Sequence, residues 1–325
     1  MIVRRLPLVV LTLVTAAVTC TSQENGSNTI DVNTSFAAQM ASSWHYAGAP
    51  QRVQVGILAS DANGVRPVTQ GTADLGFAYL GDGSGEPAPG PTATASYVPV
   101  PGTEASGSVP AIVAGANGVY EAEDVTFDPA GVWRVTVSIE IEGVRRELTT
   151  DFAVTQGSQI PAPGMPAPRT RTLTLDSKGV RPGAIDSMAD GGGQIPDPEL
   201  HEWSIADAIE GGRPALVLFG TPAYCTSRFC GPEVTELQRL AADHADRAVY
   251  IHVEIWKEYD PPDVQVVNRG AAEWLLRELP DGTPQMTEPW LFLIDADGIV
   301  ADRWGPLFDA AEVAAALEAL PPMGA

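Results

Sequence analysis

Apolar and polar residues alternate along the first half of the chain and give way to solid apolar runs in the second. Arg52-Val-Gln-Val-Gly-Ile-Leu, Ala73-Asp-Leu-Gly-Phe-Ala-Tyr-Leu and Gly131-Val-Trp-Arg-Val-Thr-Val-Ser-Ile-Glu-Ile alternate at a period close to 2, with Gly, Pro, Asp and Asn between them. Period-2 patterning of this kind predicts half-buried strands. Glu147 to Val154 continues it as a closing strand, paired to its predecessor through a turn at Gly143. No helical stripe interrupts the set, so residues 36–155 are expected to form an all-β domain, an antiparallel sandwich with Trp133 and Phe127 in its core.

From Ser204 onward the periods change. Ser204 to Glu210 reads as a short helix, and Pro214 to Phe219 is almost wholly apolar, as a strand covered on both faces should be. Pro232 to His244 places Val234, Leu237, Leu240 and Ala241 at helical spacing. Ala248 to Ile255 is a second central strand and Ala271 to Leu279 a further helix. Pro289 to Ile294 and Ile299 to Trp304 form a hairpin that turns at Asp295-Ala-Asp-Gly. Asp309, with Glu312 three residues on, caps the last helix. Strands alternating with helices over 196–325 predict an α/β domain. Between the two domains, residues 156–195 are rich in Pro and Gly and read as an extended linker.

The ends and the composition add a compartment. Arg4 and Arg5, an apolar core from Leu6 to Val18 and small residues before Cys20 make residues 1–20 an export signal. The Ala17-Val18-Thr19-Cys20 step resembles the lipobox of bacterial lipoproteins, in which the cysteine carries the lipid, although Thr19 stands where Gly or Ala is usual. Residues 21–35 then form a polar tether, and the chain is expected on the outer face of the cytoplasmic membrane, lipid-anchored through Cys20. A net charge of −22 argues against nucleic acid as a partner.

With Cys20 set aside for a lipid, Cys225 and Cys230 are the remaining thiols, and export places them where a disulfide persists. They follow a buried strand and precede a helix, while Glu288-Pro289-Trp290 opens another strand. Cys230 stands close to a helix N-terminus, where the dipole favours thiolate, and Arg228 would act in the same sense on whichever sulfur it approaches. Either cysteine can be the attacker; Cys225 is preferred, with Cys230 resolving. Two thiolates with His252 from the next strand would alternatively suit copper(I), and a structural disulfide in a non-catalytic binding protein is a third reading. His252 otherwise reads as a packed core residue with Glu254 as its hydrogen-bond partner. His45, beside Trp44 and Met40, reads as a surface or edge residue rather than a metal ligand.

Leu216-Val-Leu-Phe-Gly-Thr-Pro-Ala-Tyr-Cys-Thr-Ser-Arg-Phe-Cys-Gly-Pro, Tyr250-Ile-His-Val-Glu and Thr287-Glu-Pro-Trp-Leu-Phe-Leu-Ile-Asp together resemble the thioredoxin superfamily, in particular exported bacterial members with a Cys-x4-Cys dithiol. The resemblance implies a thioredoxin-like fold over 196–325, a cis Pro289 against the dithiol, supporting roles for Tyr224, Arg228 and Pro232, protein thiols or disulfides as partners, and no diffusible cofactor. Thioredoxin keeps a buried acid on the strand before the turn, whereas this chain has Leu216, Leu218 and Phe219, so proton transfer needs another group or water. Gly118-Val-Tyr-Glu and Phe127-Asp-Pro-Ala-Gly-Val-Trp resemble bacterial immunoglobulin-like domains, which implies that type of sandwich for 36–155.

Overall fold

The computed structural model describes residues 33–83, 86–103, 107–225, 227–260, 263–279 and 282–323. The signal, Cys20 and nearly all of the tether lie outside the described residues. Among the described residues no helix is long and apolar enough to cross a membrane.

The N-terminal domain contains β1 (Ser35–Met40), β2 (His45–Tyr46), β3 (Pro50–Asp61), β4 (Gly64–Pro67), β5 (Thr72–Gly81), β6 (Ala88–Pro99), β7 (Gly118–Thr126), β8 (Gly131–Ile141) and β9 (Val144–Thr155). They join in one curled sheet of order β1-β3-β7-β6-β5-β8-β9-β2, with β4 beside β3. The separate two-sheet arrangement expected from the alternation is not what the hydrogen bonds draw. β6 is the reason: Ala88 to Ser96 pairs with β5, and Ser96 to Pro99 pairs with β7, so one long strand belongs to both halves. A strand that turns such a corner lets the sheet curl over its own core. Trp133 and Phe127 are buried there with ring centroids 5.2 Å apart.

The C-terminal domain runs α1 (Ile205–Glu210), β10 (Ala215–Gly220), α2 (Cys230–Asp243), β11 (Val249–Glu254), β12 (Trp256–Asp260), β13 (Val264–Val267), α3 (Arg269–Leu275), β14 (Arg277–Glu278), β15 (Pro284–Gln285), β16 (Trp290–Ile294), β17 (Val300–Trp304) and α4 (Ala310–Ala319). Its main sheet has the order β11-β10-β16-β17, with β10 parallel to β11 and antiparallel to β16. Every residue of β10 is buried. Because side chains alternate across a strand, Val217 and Phe219 enter the layer holding Ile251, Trp274 and Phe292, while Leu216 and Leu218 meet Leu237, Leu240 and Leu317. Each such side chain contributes about 1.5–3 kcal/mol on burial. The helix expected to reach Leu279 stops at Leu275, since Arg277–Glu278 pairs with Pro284–Gln285.

Residues 156–195 do not act as a free linker. Ile160 and Ala167 are buried in the C-terminal core, and the backbone of 164–167 bonds to Gly298 and Val300 on the β16–β17 hairpin. Short helical turns at Ser187–Ala189 and Pro198–His201 then bring the segment under β11. Ile160, Ala162 and Ala167 are enough to fasten it, because each is almost completely covered, whereas Met165 between them stays exposed.

Candidate functional site

β10 ends at Gly220, the chain turns, and α2 opens on Cys230 itself. Cys225 and Cys230 form a disulfide with Cα atoms 6.0 Å apart. The two sulfurs differ in access, since Cys230 is 0% exposed and Cys225 is half-buried. The Cys230 backbone N–H donates to Cys225 Sγ at 3.3 Å, and the Ser227 hydroxyl stands 3.2 Å from the same sulfur. A donor at a helix start stabilises negative charge, so after reduction the more accessible sulfur is also the one favoured as thiolate.

Pro289 follows a cis peptide bond from Glu288 and is buried. A Cβ placed on Gly220 would stand 3.7 Å from Cys230 Sγ and 3.8 Å from Pro289 Cβ. Gly220 thus separates the dithiol from the proline by little more than one atom's width. Tyr224 donates its hydroxyl to Asp190 and lays its ring on Tyr259 at 4.5 Å, which ties the dithiol turn to the segment before it. Arg228 is exposed with φ of 65°. Pro232 occupies the first turn of α2, where a backbone N–H has no helical partner to lose.

The all-β domain forms the opposite wall. A groove of about 460 Å³ opens between Met40, Leu58 and Val119 on one side and Phe229, Pro289 and Trp290 on the other. Thr287 secures this wall: its hydroxyl accepts the indole N–H of Trp44 at 2.9 Å and of Trp290 at 3.0 Å, and lies 3.0 Å from the Ser43 hydroxyl. Farther along the seam, Arg52 pairs with Asp302 at 2.8 Å and with Glu312.

Two acidic side chains near the dithiol escaped sequence reasoning. Glu233, one turn along α2 from Cys230, is 1% exposed, and burial raises its carboxyl well above the usual range. Glu288 is pushed up to about 8 by burial, with the Glu254 charge adding to it. Neither lies on β10; the buried acids stand on α2 and before Pro289 instead. The helical spacing of Cys230 and Glu233 was the available cue.

His252 does not turn to the sulfurs. Its Nε2 faces the Gly220 carbonyl at 3.2 Å and its Nδ1 faces Asp186 at 3.5 Å, so the copper set of Cys225, Cys230 and His252 is not assembled. Among the described residues its ligand-capable neighbours are Asp186, Asp197 and His201. Nor does it bond Glu254, whose carboxylate instead accepts the N–H groups of Ser187 and Trp256. His45 does lie on the edge strand β2, but its side chain is not at the surface: it is buried between Phe127 and Phe152, close to Ser42 and Gln51, and burial lowers it to about 4.

No family model matches the chain. No curated protein matches it either. Among solved structures, MtrC from Shewanella baltica OS185 aligns over 82% of this chain and 51% of its own, at 10% identity and a TM-score of 0.25. The chain spans about half the length of that protein, and so low a score carries no argument about fold or activity.

Proposed function

We propose that this chain is a thioredoxin-like thiol-disulfide oxidoreductase, exported and lipid-anchored through Cys20, whose β-rich domain forms one wall of the groove that receives a protein partner. The observation that carries this reading is the asymmetry of the disulfide: the half-buried Cys225 sulfur receives a helix-start N–H, while Cys230 is closed off behind it. The strand order β11-β10-β16-β17 and the cis peptide before Pro289 support the thioredoxin-like assignment. The position of Met40, Leu58 and Val119 along the groove supports a role for the β-rich domain as a presenting scaffold.

In the oxidised chain, a partner thiolate attacks Cys225 Sγ, the Cys225–Cys230 bond breaks, and its electron pair leaves on Cys230. A second partner thiolate then attacks the mixed disulfide and releases Cys225 as thiolate. The partner is oxidised by two electrons and the chain takes up two protons, for which Glu233 and Glu288 are the nearby carriers. The reverse sequence reduces a partner disulfide through attack by Cys225.

The test is mechanism-based trapping in the full chain. Cys230→Ser should accumulate mixed disulfides through Cys225, and Cys225→Ser far fewer. A reduction potential below about −300 mV, with neither variant trapping a partner, would make the bond a structural staple.

A further inference from the structure

Beneath the dithiol turn lies a second cluster. Asp186, Asp197, His201 and His252 are each no more than 1% exposed. Asp186 Oδ2 is 3.6 Å from His201 Nε2 and 3.5 Å from His252 Nδ1, and Asp197 Oδ1 is 3.6 Å from His201 Nε2. One ligand atom from each residue lies within 4.8 Å of all the others. These contacts are too long for N–H···O hydrogen bonds, and none of the four atoms has another partner. Four such atoms, held only by Asp–His contacts beyond hydrogen-bond range, are costly to leave at full burial. A tetrahedron with metal-ligand bonds of about 2.0–2.1 Å, by contrast, has edges of about 3.3–3.4 Å, close to the three shortest separations here, with the remaining pairs within 4.8 Å.

We propose that Asp186, Asp197, His201 and His252 bind one divalent cation of the zinc class in a closed, structural site. Two carboxylates neutralise the ion, and a set of two nitrogens and two oxygens suits zinc rather than copper(I), which favours thiolates. For His252 and Asp186, outer contacts point the ligand atom inward. His252 Nε2 donates to the Gly220 carbonyl at 3.2 Å, which leaves the Nδ1 lone pair for the ion. Asp186 Oδ1 accepts the Met188 N–H at 2.7 Å, which leaves Oδ2. Asp197 stands where a carboxylate usually caps the following turn, yet its side chain makes no capping bond and faces the cluster instead. With four protein ligands and no access to solvent, no coordination position remains for a substrate.

The ion would fasten the 186–201 segment to β11. Ser187, next to Asp186, accepts the Ala223 N–H at 3.1 Å and lies 3.3 Å from the Thr221 hydroxyl, so the fastening extends to the turn that carries Cys225. The site does not depend on the redox reading, since no sulfur takes part in it.

The test uses the full chain with its disulfide intact, incubated with zinc, passed into metal-free buffer and assayed by inductively coupled plasma mass spectrometry. About one zinc per chain is expected, with a melting temperature that falls on chelation. Cobalt substitution should give the strong visible bands of a tetrahedral site without thiolate charge-transfer absorption. Cys225→Ser with Cys230→Ser should keep the ion, and His201→Ala with Asp197→Ala should lose it. Should that last variant fail to fold, the wild-type chain still decides the matter. Failure of the wild type to retain zinc or cobalt, with a melting temperature indifferent to chelator, overturns the site, as does loss of the ion from the cysteine variant.

Discussion

Trp44 of the β-rich domain donates its indole N–H to Thr287 Oγ1 at 2.9 Å, two residues before cis Pro289. A side chain of one domain thereby sets the loop that faces the dithiol in the other. Thr287→Val keeps the shape and removes the acceptor for both Trp44 and Trp290. At roughly 0.5–1.5 kcal/mol net per bond, a loss of about 1–3 kcal/mol is expected in denaturant unfolding. An unchanged midpoint would show that the two domains meet without this contact.

The parts legible in the sequence are those where one local rule suffices. β10 is covered on both faces and so reads as an unbroken apolar run, and Asp309 announces α4 by accepting the N–H groups of Ala311 and Glu312. β6 was not legible, because Pro89, Pro91 and Pro99 argue against a strand until it is seen to turn a corner between two partners. The prolines of 156–195 likewise hid Ile160 and Ala167. At the site, the dithiol and Pro289 could be named because their order along the chain carries the chemistry. Asp186, Asp197, His201 and His252 could not, since only the path of the intervening chain brings them together.

His45 gives a pH dependence on the acid side. Its ring is lowered from 6.5 to about 4 by burial, so the unfolded chain takes up the proton first. Its contribution is fully present above pH 6.5 and is lost as pH falls towards about 4. His45→Gln should reduce the fall in stability across that window, measured by urea midpoints at a series of pH values. Equal slopes for variant and wild type would exclude burial of a neutral ring as a source of acid sensitivity.

Glu288 acts in the opposite direction. Its carboxyl is raised from 4.5 to about 8, so the folded chain holds the proton more tightly, and stability falls as pH rises between these values. Glu288→Gln removes that loss, and its stability relative to wild type should improve from pH 5 to about pH 8 and then level off. If Glu288 also carries a proton during exchange, the same variant should lose an inflection near pH 8 in its exchange rate. A stability difference independent of pH would mean that the carboxyl ionises as it does in the unfolded chain.

The anchor assigned to Cys20 is open to a direct test outside the described residues. Metabolic labelling with a fatty acid should mark the wild-type chain and leave Cys20→Ser unmarked. Unlabelled wild-type protein released into the medium would remove the membrane tether from the proposal.

The unequal burial of the two sulfurs predicts unequal reactivity once the bond is opened. Cys230 is wholly covered where α2 begins, whereas Cys225 is half-buried and faces both the Cys230 N–H and the Ser227 hydroxyl. Access and thiolate stabilisation therefore favour the same sulfur, so brief treatment of the reduced chain with iodoacetamide should modify Cys225 at least about tenfold faster than Cys230. Ser227→Ala removes one of the two groups facing the sulfur and should slow Cys225 alkylation at pH 7 by raising its pKa, with little effect at pH 10, where the thiol is ionised in either case. Peptide mass spectrometry of timed samples distinguishes the sites. Equal labelling, or faster labelling at Cys230, would reverse the assignment of attacker and resolver.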